Sequence, residues 1–274
     1  MKRYVKCLTV AGSDSGGGAG IQADIKTMSA LGVFGMSAIT AVTAQNTTGV
    51  TDIFAIPVET VRRQITAVMD DMGADAVKIG MVYIPETAMM IAELLDIYRP
   101  ANSVLDPVLL SSTRHRLFSS GCEMVIKQEL MKRVTLITPN IYEAARLSGV
   151  EITGRDDMRK AACVLLDKGA NAVLVKGGDS DDREMSYDFL ADRDGMETWL
   201  ESERIHSRNT HGTGCSLSSA IASYLAMGRD LKSAVADAKL YITEAIRNGN
   251  DVVNGKGSGG INHFFAPVKL IKRQ

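Results

Sequence analysis

The run Asn209-Thr210-His211-Gly212-Thr213-Gly214-Cys215-Ser216 carries the residue types of an anion site. Two glycines, Gly212 and Gly214, flank Thr213, and the chain then passes at once into small and apolar residues at helical spacing, Leu217 to Met227. Glycine permits a tight bend and lets a ligand approach the backbone closely. A helix that opens straight after such a bend leaves its first N–H groups unpaired and holds partial positive charge there. The phosphates of a nucleotide suit such a place. An ordinary helix start that contains glycine shows the same pattern, so the loop needs support from elsewhere. That support is a set of polar residues that each close an apolar run: Asp14, Gln45, Asp106, Asn140 and Lys176.

The elements that must position these residues alternate along the chain. Val5 to Ala11 reads as a buried strand, Gly12 to Gly20 as a glycine-rich turn, and Ile21 starts a helix. The turn is not a dinucleotide fingerprint, because the Gly-x-Gly-x-x-Gly spacing is absent, and no Gly-Lys-Ser/Thr follows to make a P-loop. Further strands are expected at 35–44, 76–80, 103–106, 134–138 and 172–176, with helices at 58–72, 86–98, 140–147 and 156–168. Residues 53–56 read as a short extended piece. Segments 184–190 and 198–205 read as an edge hairpin turning at 192–195, before closing helices at 212–227 and 230–248. The pattern predicts one α/β domain over residues 1–274, a mostly parallel sheet with helices on both faces and an antiparallel edge. Carboxyl ends of parallel strands share one rim, so the strand-closing polar residues should converge.

Composition narrows the function classes. Of 274 residues, 45% are hydrophobic and 23% charged, the mix of a soluble globular protein. Lys plus Arg number 31 and Asp plus Glu 32, a net charge of −1 that offers nothing to nucleic acid. No run of about 18 apolar residues exists, so no membrane span is expected. Thr9, Gly12, Ser13 and Asp14 interrupt the first apolar stretch too early for a signal-peptide core. Cys7, Cys122, Cys163 and Cys215 lie far apart without a Cys-x-x-Cys pair, which argues against zinc and disulfides and for a cytoplasmic protein.

Several motifs together resemble a known family. They are Ala11-Gly12-Ser13-Asp14-Ser15-Gly16-Gly17-Gly18-Ala19-Gly20-Ile21-Gln22-Ala23-Asp24, Thr43-Ala44-Gln45-Asn46-Thr47 and Lys78-Ile79-Gly80-Met81. Thr138-Pro139-Asn140 with Glu143-Ala144, Val175-Lys176-Gly177-Gly178 and Thr210-His211-Gly212-Thr213-Gly214-Cys215 complete the set. In this order they resemble the hydroxymethylpyrimidine/phosphomethylpyrimidine kinases of thiamine biosynthesis, members of the ribokinase-like superfamily. The resemblance implies a three-layer αβα ribokinase-like fold, a homodimer, and two successive phosphoryl transfers from Mg-ATP. The first transfer goes to the hydroxymethyl group of 4-amino-5-hydroxymethyl-2-methylpyrimidine, the second to the monophosphate so formed. By position, it implies that Asp24 and Gln45 contact the pyrimidine while Gly12 and Met81 line its pocket. It gives Asp106, Asn140, Glu143, Lys176, Thr210 and Lys239 to ATP, Glu143 and Asp106 to magnesium, and catalysis to Gly212, Thr213, Gly214 and Cys215.

The residues alone leave plainer roles open. Asp24 reads equally as a solvated first-turn helix residue, Gln45 as a turn residue, Met81 as core filler, and Lys239 as a solvated helix residue. Asn140 with Glu143 three positions on is also a good capping box. His211 is a phosphate contact or simply a loop histidine. The resemblance leads one to expect a Ser/Thr-Gly-Asp-like lid after Val108, but Leu109 to Phe118 lacks both glycine and aspartate, leaving Arg114 and Arg116 as candidates to reach a transferred phosphoryl. Where the superfamily's sugar kinases carry an aspartate, this chain has Cys215. A thiol at a helix N-terminus is expected to have a lowered pKa and to be partly thiolate, able to take the hydroxymethyl proton, unless it only fills space. Pyridoxal kinase, and a non-catalytic pyrimidine-binding regulator on the same fold, are the alternatives.

Overall fold

Apolar runs punctuated by glycine and proline fold into alternating strands and helices in the computed structural model, which describes residues 1–109, 119–180 and 182–274. β1 (Arg3–Tyr4) and β2 (Lys6–Asp14) lead through the glycine turn into α1 (Gly20–Ala30), followed by β3 (Phe34–Asn46) and β4 (Gly49–Ala55). Next come α2 (Val58–Asp71), β5 (Ala76–Ile79), α3 (Pro85–Tyr98) and β6 (Ser103–Leu105). A helical stretch that the sequence pattern does not announce begins with α4 (Cys122–Val125) and passes through a π turn and a 3-10 turn to Arg133. Then follow β7 (Leu136–Ile137), α5 (Ile141–Ser148), α6 (Arg155–Asp167) and β8 (Ala172–Lys176). β9 (Met185–Asp192), β10 (Glu197–Glu203), α7 (Thr213–Ala226), α8 (Leu231–Arg247) and β11 (Lys272–Arg273) complete the order.

The main sheet has nine strands in the order β10-β9-β8-β7-β6-β5-β2-β3-β4, and β1 pairs with β11 in a small separate ribbon. From β3 to β8 all neighbours run parallel. β9 and β10 form the expected hairpin, antiparallel to β8. The other edge corrects the expectation of a single antiparallel edge: β4 runs antiparallel to β3, with Asn46 opposite Gly49. Only Thr47 and Thr48 separate those two strands, and no crossover helix fits in so short a connection.

Alternating strand residues feed two cores. Leu8, Val10, Ile79, Leu105 and Ile137 point to the face covered by α2, α3, α5 and α6. Cys7, Ala76, Val104, Leu136 and Leu174 point to the face covered by α1, α7 and α8. Three layers result, as the ribokinase-like resemblance implies. Among the described residues no helix is long and apolar enough to cross a membrane. Six parallel strands end on one rim, and the closing residues of the sequence motifs stand there.

Candidate active site

A cleft of about 1030 Å³ opens along this rim, at the upper end of the range of about 300–1,000 Å³ for small-molecule sites. Its walls include Gly12, Gln45, Met81, Asp106, Asn140, Glu143, Lys176, Lys239 and the loop from Thr210 to Cys215. Among the described residues singled out by sequence, only Asp24 is missing from them. Strand order divides the rest. Gly12, Gln45 and Met81 come from the β2, β3 and β5 side, whereas Asn140, Lys176 and Lys239 stand toward β7, β8 and β9.

At the centre Lys176 Nζ reaches Asp106 Oδ1 at 2.7 Å, with side chains 12% and 2% exposed. Burial works against the ammonium charge, but Asp106 and Glu143 outweigh it and hold the lysine above its ordinary pKa. Asn140 and Glu143 form the capping box of α5: Asn140 Oδ1 accepts the Glu143 N–H at 2.8 Å, and Glu143 Oε2 accepts the Asn140 N–H at 2.9 Å. Leu109 N–H donates to the other Glu143 oxygen at 3.2 Å. Burial pushes the Glu143 carboxyl up; Lys176 opposes this, Asp106 adds to it, and the two N–H groups oppose it, leaving a pKa of about 7.

The glycine loop meets this centre. Gly212 is the N-cap of α7 with φ +82°, and an added Cβ would run into the Gly18 carbonyl oxygen, so only glycine fits. A Cβ on Gly214 would stand 3.2 Å from Lys176 Nζ and 3.7 Å from Asp106 Oδ2. Ser216 N–H is bonded to Gly212 O at 2.9 Å, and the N–H groups of Gly214 and Cys215 precede it in the first turn. The loop therefore places a helix start directly against a lysine.

Two expectations fail. Asp24 does not reach the pyrimidine side: it is fully buried under the rim, paired at 2.9 Å with Lys78, which is also fully buried. The hydroxyls of Thr9 (2.6 Å) and Ser219 (2.7 Å) take its remaining lone pairs, so it has nothing left for a ligand and is not solvated either. Cys215 is not a partial thiolate. Desolvation leads in raising its pKa to about 11; Lys78 and the Gly20 N–H pull the other way, while Asp24 and Asp106 add to the rise. The lowering from Lys78 and the Gly20 N–H is outweighed by burial among carboxylates.

Other residues enter that the sequence did not assign. Asp188 on β9 joins Lys239 at 2.7 Å and accepts the Gly177 N–H at 2.9 Å, so Lys239 is held at the rim by a residue of the edge hairpin. Asp14 accepts the N–H groups of Gly16, Gly18 and Ala19 at 2.8, 3.1 and 2.9 Å. Burial works to raise its pKa, but the His211 hydrogen bond, the N–H groups of Ala19 and Gly16, and the His211 charge hold it below its ordinary value. An aspartate followed by glycines is the sequence signal for such a turn.

Comparison with known proteins now adds the family. The pattern that defines the phosphomethylpyrimidine kinase family matches residues 14–262. The chain belongs to this family. It is a phosphotransferase. It is similar to the hydroxymethylpyrimidine/phosphomethylpyrimidine kinase of Streptomyces coelicolor, with 46% identity over 94% of this chain and 94% of that one. A bifunctional thiamine biosynthesis protein of Geobacter sulfurreducens is 48% identical over 94% of this chain, which spans 52% of that longer protein. Among solved structures, a phosphomethylpyrimidine kinase of Clostridium difficile superposes with TM-score 0.79 at 42% identity, over 88% of this chain and 99% of that one. A pyridoxal kinase of Staphylococcus aureus bound to pyridoxal superposes with TM-score 0.87 at 33% identity, over 96% and 94%.

In this kinase fold a magnesium ion has a donor set to meet. Among the described residues no three His, Cys, Asp or Glu side chains group as a metal cage. Asp106 and Glu143 are instead two carboxylates close enough for one to raise the other's pKa. That fits a cation held by one or two carboxylates together with substrate phosphates and water. The lid candidates Arg114 and Arg116 lie outside the described residues.

Proposed function

We propose that this cleft transfers a phosphoryl group from Mg-ATP twice, first to the hydroxymethyl of 4-amino-5-hydroxymethyl-2-methylpyrimidine and then to its monophosphate. One observation carries the reading: the glycine-loop helix start abuts Lys176, in a cleft lined by both Gln45 and Lys239. Gln45, Gly12 and Met81 take the pyrimidine. Lys176 neutralises phosphate charge as a point charge. The N–H groups of Gly214 and Cys215 face charge that grows on the transferred group, where fixed donors act most strongly. Asn140, Thr210 and Lys239 border ATP. Asp106 and Glu143 would hold magnesium, which would supply positive charge to the phosphates.

Cys215 serves here as a small neutral residue. Its thiol keeps its proton at neutral pH. Phosphoryl transfer depends mainly on positioning and electrostatics, so a strong base at this point is dispensable. A neutral side chain also tolerates the second nucleophile, a phosphate largely ionised at pH 7, its second pKa being about 6. A fixed aspartate would repel it.

Residues 1–274 act as one kinase domain in this reading, in the cytoplasm and as a homodimer; light scattering on the pure protein gives the mass. The four cysteines all stay unpaired, as a reducing compartment permits. A second reading, pyridoxal kinase, is favoured by the similarity to the Staphylococcus aureus pyridoxal complex. A non-catalytic regulator fits poorly with Lys176, Asn140, Glu143 and the glycine loop assembled at one rim. Comparing kcat/KM for the hydroxymethylpyrimidine and for pyridoxal decides: a higher value for the pyrimidine is expected, and a preference for pyridoxal reverses the assignment.

A further inference from the structure

The pyrimidine end of the cleft contains a hydrogen-bond network whose donors and acceptors can be settled one by one. His211 Nε2 lies 2.9 Å from Asp14 Oδ2 and 3.2 Å from the amide of Gln45. Asp14 already accepts three backbone N–H groups, which hold it ionised and able only to accept. His211 Nε2 therefore carries a hydrogen in either charge state of the ring. Pointed at Asp14, that hydrogen leaves Nε2 no lone pair for the Gln45 amide nitrogen placed beside it, so the amide must turn its oxygen there instead and share the hydrogen in a three-centre bond. The far end of the same amide accommodates this orientation. The Thr43 hydroxyl stands 3.0 Å from the Ser13 carbonyl oxygen and 3.1 Å from Gln45. With the amide turned this way its nitrogen faces the hydroxyl, whose single hydrogen then goes to the Ser13 carbonyl while its oxygen accepts from Gln45. The oxygen and nitrogen of a side-chain amide are alike in shape, and their assignment follows the network.

The imidazole is itself held. The backbone N–H of His211 donates to Gly259 O at 3.0 Å, and the ring packs where a Cβ on Gly18 would stand, so Gly18 must be glycine. Ser13, Asp14, Thr43, Gln45 and His211 all line the cleft.

We propose that His211, held by Asp14, determines which ring the cleft accepts. It fixes the Gln45 amide with oxygen toward the imidazole and nitrogen toward Thr43, leaving one lone pair and one N–H for the substrate. An aminopyrimidine presents the complement on a single edge, a ring nitrogen that accepts beside an amino group that donates. With the reacting hydroxymethyl groups overlaid, pyridoxal presents on that edge a formyl oxygen that accepts and a ring hydroxyl that donates, the reverse of the amino donor and ring-nitrogen acceptor of the pyrimidine, so a locked amide meets it mismatched. A site built to pair both groups rejects a ring lacking one of them. This inference rests on the pyrimidine-kinase reading and deepens it.

The test is a double-mutant cycle on kcat/KM for 4-amino-5-hydroxymethyl-2-methylpyrimidine and for its analogue lacking the amino group. His211→Phe keeps a ring against Gly18 but removes the N–H, and lowers kcat/KM for the aminopyrimidine about tenfold, mainly through KM, as loss of one hydrogen bond does. In a Gln45→Ala background the same change has no further effect. The deamino analogue loses far less, and His211→Asn, which keeps a side-chain N–H, recovers part of the loss. Thr43→Val releases the other end of the amide and gives the same pattern, so the test stands even where His211→Phe fails to fold in a thermal melt. Losses that multiply in the Gln45→Ala background, or equal losses on both rings, overturn the inference. A wild-type protein that phosphorylates no pyrimidine overturns this and the function together.

Discussion

The sheet carries two lysine–aspartate pairs of like chemistry, one open to the cleft and one sealed beneath it. Lys176 and Asp106 meet at 2.7 Å on the rim, and the lysine side chain keeps 12% of its exposure. Lys78 and Asp24 meet at 2.9 Å with no exposure at all. The open pair lies within reach of the glycine loop and of any phosphate brought to it. The sealed pair ties four elements together through Thr9 on β2, Asp24 on α1, Lys78 on β5 and Ser219 on α7. Residue types do not separate the two. Access to solvent does, and it turns one pair into chemistry and the other into architecture.

Gly214→Val attacks the open pair most directly, because the new side chain points at Lys176 and Asp106. Turnover is expected to fall by more than about 10³-fold, with circular dichroism unchanged, as a wedged anion site loses its donors. A folded variant with normal kcat would remove the anion site from the account.

Exchanging the two lysines for methionine separates the roles. Lys78→Met strands a buried carboxylate and should lower unfolding free energy by about 3–5 kcal/mol. Adding Asp24→Leu should restore most of that, since an apolar replacement of a buried pair is often neutral. Lys176→Met should instead cost about 10²–10³ in kcat with a smaller change in melting temperature. Denaturant melts alongside kcat read both, and a stability loss at Lys176 as large as that at Lys78 would erase the distinction.

The difference also explains what the sequence could tell. Strand ends, turns and the capping box follow from short-range pattern, and so the rim residues Gln45, Asp106, Asn140 and Lys176 were legible. Asp24 was misplaced by its resemblance to a ligand contact, although its spacing from Ile21 and Met28 puts it on the buried stripe of α1. Lys78 inside the apolar run Ala76–Ile79 was the matching signal, a charge that a buried strand cannot hold without a partner. Neither residue names the other, because 54 positions separate them and only the fold closes that distance. The β3–β4 edge was missed for a local reason, its turn being only two residues long. The Cys215 shift was out of reach, since it depends first on burial and then on charges from β5, α1 and the end of β6 that only the fold brings together.

Smaller effects sharpen the comparison within the cleft. Gln45→Ala should reduce kcat/KM for the pyrimidine by about 1–3 kcal/mol while ATP affinity stays nearly intact. A fall in ATP binding with an unchanged pyrimidine KM would displace Gln45 from the ring site. Glu143 makes a pH prediction: its folded pKa of about 7 lies above the ordinary 4.5. The folded state binds that proton more tightly than the unfolded chain, so its contribution is full below about 4.5 and is lost as pH climbs toward about 7. Relative to Glu143→Gln, wild-type melting temperature should fall across that window, and parallel curves would contradict the burial argument. Cys215→Ala, the mildest change, should slow both transfers by less than about tenfold, because a neutral thiol is not the base. Cys215→Asp should spare the first transfer and impair the second, and separate assays with alcohol and monophosphate tell them apart.

The claim at the centre is that a single open site, built on Lys176 and the glycine loop, performs both transfers. A time course with hydroxymethylpyrimidine and excess Mg-ATP, separating products by anion exchange, measures it directly. The expected record is monophosphate that rises and then gives way to diphosphate, with both steps lost together in Lys176→Met. Monophosphate as the final product, or a Lys176→Met variant that loses one step and keeps the other, would contradict it.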